Sequence, residues 1–323
     1  SFAKGLQFSR VNRATATHTG IGGKGQNAAV AYQTAATDGG SKVRVLQFGM
    51  GDVADTLLNI GIDVIAVPIT ANVRTCTTLI DERFMECTEL IEPWSSDVST
   101  AEAEALVTAC TAAFAESAAA AAVDGIAVMG SVPAGVDPGL PARLLATLSD
   151  SRASADSRVL VDSVSGVPDL LAGGAIGLLK VNAEELELLA AETDGEGDHD
   201  GDVNASVWLE ERLAAAAARL FRCYETLPWI GVTNGALPAY LFRRGGSGAE
   251  TRARIGAGTK TAAAVDAWRY LVPPLGDDFI NAIGAGDAAA GVTLAKWVTG
   301  TPLPDAFRFG LAAAGAACCH SGG

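Results

Sequence analysis

The residues best suited to chemistry lie near the carboxyl end, where Phe279-Ile280-Asn281-Ala282-Ile283 runs into Gly284-Ala285-Gly286-Asp287 and then Ala288-Ala289-Ala290-Gly291-Val292. Glycines ahead of a helix built from small residues let an anion approach its first-turn N–H groups, and the positive end of the helix dipole adds to the attraction. Such a cradle suits a phosphoryl group in transit. Asp287 sits within that turn, where a carboxylate can take the proton of an attacking hydroxyl while the cradle stabilises the developing charge. The same pattern also occurs where an aspartate only caps a helix and the glycines only turn the chain.

A second cluster, Gly22-Gly23-Lys24-Gly25-Gln26-Asn27, stands near the amino end. A P-loop needs Ser or Thr after the lysine, and Gly25 follows Lys24 here. Gly20, Gly22 and Gly25 satisfy G-x-G-x-x-G, but the preceding run is polar and no acidic residue follows at the ribose-binding distance, so a dinucleotide fold is disfavoured. What remains is a tight backbone turn able to touch a polyhydroxyl ligand, with Lys24 and Asn27 supplying charge and hydrogen bonds. The third candidate is Arg74. It is either an anion-gripping guanidinium or an ordinary surface ion pair.

Composition narrows the chemistry further. The 323 residues carry a formal charge of -14, which repels a nucleic-acid backbone, so no direct nucleic-acid partner is expected and any bound anion must be caught locally. The three histidines (His18, His199, His320) lack metal-ligand spacing, which argues against a zinc hydrolase or a Ser-His-Asp triad. The six cysteines form no C-x-x-C unit and read as reduced thiols. The alanine-rich region around Ala118–Val123 is too short and too interrupted by Glu and Asp to span a bilayer. A soluble protein is expected, cytoplasmic or organellar after removal of a targeting segment, since the chain starts at Ser1 without Met.

These residues need elements to position them. Apolar runs at Val43–Gly49, Gly125–Gly130, Arg158–Asp162, Ile176–Lys180 and Trp229–Thr233 alternate with helical stretches, the pattern of a mainly parallel sheet covered on both faces. A helix is expected from Gln26 onward. Val73–Glu92 instead reads as a β-hairpin turning at Asp81-Glu82-Arg83, with Arg74 at its root. Together with a strand within Phe2–Thr19 it predicts a small projecting sheet over about 1–19 and 72–92. The acidic, glycine-rich stretch at about 192–206 reads as a solvated loop and lacks the glycine and glutamate positions of a calcium-binding EF-hand.

The two glycine clusters, in this order, resemble those of the ribokinase/PfkB family of carbohydrate kinases. The family pattern is echoed by Gly130-Ser131-Val132-Pro133-Ala134-Gly135, by Lys180-Val181-Asn182-Ala183-Glu184-Glu185 and by Val232-Thr233-Asn234-Gly235-Ala236. The resemblance implies a single α/β domain over 1–323, a ribokinase-like αβα sandwich with a β-lid, and ATP and Mg²⁺ as co-substrates. It makes Asp287 the catalytic base, Gly284, Ala285 and Gly286 the anion hole, and Gly22, Gly23, Lys24, Gly25 and Asn27 part of the sugar site. Lys180, Asn182, Glu185, Thr233 and Gly235 would serve the nucleotide, with Glu185 also organising the metal.

Lys24 and Arg74, with Asn281 where plain ribokinases carry Asp-Thr, look like the branch whose acceptor is already phosphorylated: fructose 1-phosphate, fructose 6-phosphate or tagatose 6-phosphate. Two features depart from the family. Val181 replaces the usual proline, and the sequence starts after the position of the relatives' first strand with its N-P-x-x-D motif. The alternatives are a non-catalytic structural or regulatory subunit of a larger assembly and a kinase for an unphosphorylated sugar or nucleoside. A homodimer through the lid is a further expectation from the resemblance.

Overall fold

The computed structural model describes residues 7, 9–36, 42–49, 51–81, 83, 86–120, 123–149, 158–163, 165–193, 209–245 and 265–320. The chain divides into two compact units interleaved in sequence, one made of Ser1–Ala121, Val132–Leu140 and Pro274–Gly323, the other of Ala122–Ser131 and Pro141–Pro273.

In the first unit, helix α1 (Lys24–Ala35) precedes strand β1 (Arg44–Phe48), helix α2 (Asp52–Asn59) and strand β2 (Asp63–Val67). β1 and β2 pair in parallel, from Arg44 opposite Asp63 to Phe48 opposite Val67. Ala29, Val45, Leu57 and Ile62 form a buried cluster that fixes α1 on this pair. Strands β3 (Cys76–Asp81) and β4 (Glu86–Ile91) make the expected antiparallel hairpin, and α3 (Thr100–Ala120) follows.

The second unit carries strands β5 (Ile126–Met129), β6 (Val159–Asp162), β7 (Leu178–Asn182), β8 (Trp229–Thr233), β9 (Ala239–Arg244) and β10 (Val265–Tyr270). They form one sheet in the order β10-β9-β8-β7-β6-β5, parallel from β5 to β8 and antiparallel beyond. β6 is buried along its length and β7 up to its last residue, as continuous apolar strands covered on both faces require. Helices α4 (Leu140–Ser149), α5 (Val167–Ala172), α6 (Ala183–Glu192) and α7 (Leu209–Cys223) accompany the sheet. α7 buries Leu213, Ala217, Leu220 and Phe221, a spacing that recurs on one helical face. These join Leu186, Ile230 and Phe242 in the main core.

The chain then supplies the first unit with α8 (Ala285–Val298) and α9 (Leu303–Ala317). The expected mainly parallel sheet is present in the second unit, and β1–β2 form a two-stranded sheet in the first. The expected hairpin is present; of the strand expected within 2–19, residues 7 and 9–19 contain none, while 2–6 and 8 lie outside the described residues. The first helix starts at Lys24 rather than Gln26, so Lys24–Asn27, four of the six residues of the supposed turn, are its first turn. Most of the acidic stretch, from 194, lies outside the described residues.

Candidate active site

Asn27 and Asp287, 260 positions apart, meet directly: Asn27 Nδ2 donates to Asp287 Oδ2 at 2.9 Å. Each belongs to the first turn of its helix. The first hydrogen bond of α1 runs from Asn27 N–H to Gly23 O, and that of α8 from Ala288 N–H to Gly284 O. Gly284 takes the left-handed conformation with φ 72° and, as the N-cap, offers no side chain to the helix it opens. The amides of Gly286 and Asp287 therefore precede the first intrahelical bond, as an anion cradle requires. Asp287 itself is 8% exposed.

The alignment of the two helix starts follows from the small residues behind them. A Cβ on Gly291 would lie 2.2 Å from Ala28 O and 3.0 Å from Ala31 Cβ, so the two backbones touch one turn below the Asn27–Asp287 bond. Only glycine fits that crossing. The loop leading into α8 is anchored separately. Asn281, fully buried, donates from Nδ2 to His320 O at 3.0 Å and accepts from Ile283 N–H at 2.9 Å, while Ile280 N–H donates to Cys318 O. Asn281 is thus a strut between the cradle loop and the end of α9.

The remaining first-unit candidates surround the start of α1. Gly22 is exposed, Gly23 is the N-cap with φ 112°, and Lys24 and Gly25 are half-buried in the first turn. Gln26 Nε2 donates to Gln47 Oε1 at 2.8 Å, and Gln47 Nε2 donates to Gly49 O at 3.3 Å. Arg74 lies just before β3, exposed, with its guanidinium carbon 5.2 Å from the centre of the Trp94 ring.

In the second unit Asn182 and Glu185 bond one another. Asn182 Oδ1 accepts from Glu185 N–H and Glu185 Oε2 accepts from Asn182 N–H, both at 2.8 Å, a reciprocal capping box at the start of α6. Asn182 then lines a groove at the ends of β7 and β8 with Ala183, Glu184, Thr233, Asn234 and Gly235. Such a position, at the carboxyl ends of parallel strands, is where open α/β sheets take ligands. Among the described residues no three His, Cys, Asp or Glu side chains form a metal cage. Glu184 in the groove lining and Glu185 beside it are carboxylates of the kind that hold Mg²⁺, which is typically bound by one or two carboxylates, its own waters and substrate phosphates.

Lys180 makes a buried ion pair. Its ammonium is turned inward and pairs with Asp162 Oδ2 at 2.6 Å, both side chains 4% exposed. Burial explains the pairing, because an uncompensated ammonium in that interior would be costly. Lys180 is therefore a support for Asp162 and no part of the groove lining. Sequence reading missed Asp162 and Gln47. The available signal was a polar residue at or next to the end of a buried strand.

The family model for pfkB family carbohydrate kinases matches residues 2–323. Phosphofructokinase-2 from Escherichia coli, in its tetrameric inhibited form, superposes with a TM-score of 0.68 at 20% identity, covering 97% of this chain and 88% of that one. A possible 1-phosphofructokinase from Thermotoga maritima gives 0.66 at 17% identity, covering 98% and 86%. Ribokinase from Giardia lamblia gives 0.65 at 16% identity, covering 99% and 89%. No curated protein sequence matches. At these identities the solved structures speak for the ribokinase-like α/β fold, and the family match across nearly the whole chain carries the assignment: this chain belongs to the pfkB family of carbohydrate kinases.

Proposed function

We propose that the chain transfers the terminal phosphoryl group of ATP to a hydroxyl of a small sugar that already bears a phosphate, of the fructose 1-phosphate, fructose 6-phosphate or tagatose 6-phosphate class. The observation that carries this reading is the 2.9 Å bond from Asn27 to Asp287, which joins the sugar-side glycine turn to the carboxylate beside the anion cradle.

Asp287 takes the proton of the acceptor hydroxyl, and Asn27 holds the carboxylate in one orientation as it does so. The segment Gly284–Gly286 forms the anion hole, and the amides of Gly286 and Asp287 stabilise negative charge on the oxygens of the migrating group. Lys24 and Arg74 bind the phosphate already on the acceptor. Asn182, Thr233 and Gly235 receive the nucleotide in the groove of the second unit. Glu185 keeps Oε1 outside the capping box for Mg²⁺ or one of its waters, and the ion neutralises charge on the nucleotide phosphates when bound. Both units serve one kinase domain over 1–323.

ADP release from the purified chain with ATP, Mg²⁺ and a panel of fructose 1-phosphate, fructose 6-phosphate, tagatose 6-phosphate, ribose and fructose tests the reading. Turnover restricted to the phosphorylated sugars supports it. Turnover only of ribose or fructose moves the assignment to an unphosphorylated acceptor, and no turnover favours a non-catalytic subunit.

A further inference from the structure

Arg74 is held in an unusual way for an exposed arginine in so acidic a chain. Among the described residues no carboxylate pairs with it; its guanidinium lies over the ring of Trp94 instead, 5.2 Å from the centre. A guanidinium held over a ring by a cation–π contact can still offer N–H groups to phosphate oxygens.

The backbone around it is fixed on both sides to the segment that carries Trp94. Asn72 N–H donates to Ser95 Oγ at 2.7 Å, Thr75 N–H donates to Glu92 Oε2 at 2.9 Å, and Glu92 N–H returns a bond to Thr75 O at 3.0 Å. Glu92, an acidic side chain in that frame, is thereby engaged with backbone. On the other side Val73 packs on Gly49, where an added Cβ would lie 2.9 Å from Val73 Cγ2. Gly49 O is in turn bonded through Gln47 to Gln26 of the first turn of α1. Packing and hydrogen bonds thus run without a break from the root of Arg74 to the turn that carries Lys24.

We infer that Trp94 is a positioning residue that presents Arg74 to the phosphate of a phosphorylated acceptor, and so helps set the preference for sugar phosphates over free sugars. The inference rests on the kinase reading above and adds to it a residue that no sequence motif marked. Orientation of a long side chain before binding lowers the entropy lost on binding.

The test compares Trp94→Leu, Trp94→Phe and Arg74→Ala with the wild type by steady-state kinetics on fructose 6-phosphate, fructose 1-phosphate and tagatose 6-phosphate. For the turned-over sugar phosphate, Trp94→Leu is expected to raise KM about three- to tenfold, the range of a partly exposed cation–π contact, with kcat and the KM for ATP changed less than about twofold. Trp94→Phe should restore most of the loss, and Arg74→Ala should raise the same KM further. An unchanged KM in Trp94→Leu beside a raised one in Arg74→Ala overturns the role of Trp94 and leaves the kinase reading standing. Equal damage to kcat, to the KM for ATP and to the thermal midpoint, without rescue by Phe, marks Trp94 as merely structural. A wild type that phosphorylates no sugar phosphate overturns the parent reading and this inference with it.

Discussion

Asn27 donates its side-chain N–H to the carboxylate of Asp287, so the first turns of α1 and α8 share one hydrogen bond. Replacing Asn27 by Asp puts two carboxylates side by side, and their repulsion raises the pKa of one of them. The acid limb of the kcat/KM profile should move to higher pH, with activity at pH 7 falling about tenfold or more and recovering toward alkaline pH. Asn27→Ala should lower kcat without that displacement. A pH–rate series on both variants separates charge from lost orientation.

The close crossing of α1 and α8 predicts a second outcome. Gly291→Ala places a methyl 2.2 Å from Ala28 O, which only separation of the helices can relieve. Stability should fall by about 1 to 3 kcal/mol, as for other overpacked sites, and kcat should fall with it because Asn27 and Asp287 move apart. Denaturant titration and turnover of the same preparation check the pairing of the two losses.

Lys180 and Asp162 form a buried ion pair, and removing one charge strands the other. Lys180→Met should cost about 3 to 5 kcal/mol, whereas Lys180→Met combined with Asp162→Leu should cost less than the single change. Urea unfolding of the single and double variants measures the difference.

Glu102 gives a pH dependence with a definite sign. Ser99 Oγ and N–H, followed by the N–H and hydroxyl of Thr70, donate to its carboxylate and hold its pKa down at about 2. The unfolded chain therefore takes up a proton at higher pH than the folded one, so this contribution is complete above the ordinary glutamate range and fades as pH falls toward 2. Glu102→Gln should flatten the decline of the thermal midpoint through that window, and the wild type should show the steeper slope.

Much of the fold was legible because its signals are local. Continuous apolar runs such as Val159–Val161 can be satisfied only by burial, and their alternation with helices implies a parallel sheet. The hairpin around Asp81–Arg83 was visible for the same reason. The antiparallel strands β9 and β10 were not singled out, although Tyr240-Leu241-Phe242 is a short apolar run; such a run alone does not separate strand from buried helix. The glycine clusters marked both helix starts, but no local pattern says that Asn27 would bond Asp287, since that contact depends on Gly291 meeting Ala28 far along the chain. The Lys180 pairing was not legible for a related reason: Asn182, two residues on, lines a groove, whereas the partner of Lys180 is Asp162 on the neighbouring strand, which no local pattern marks.

The most direct measurement is the turnover of Asp287→Asn against wild type on the phosphorylated sugar that the wild type uses. Loss of a general base beside an intact cradle predicts a kcat lower by about 10²- to 10⁴-fold with the KM for ATP little changed. A kcat within about threefold of wild type would contradict the assignment of Asp287 as the base.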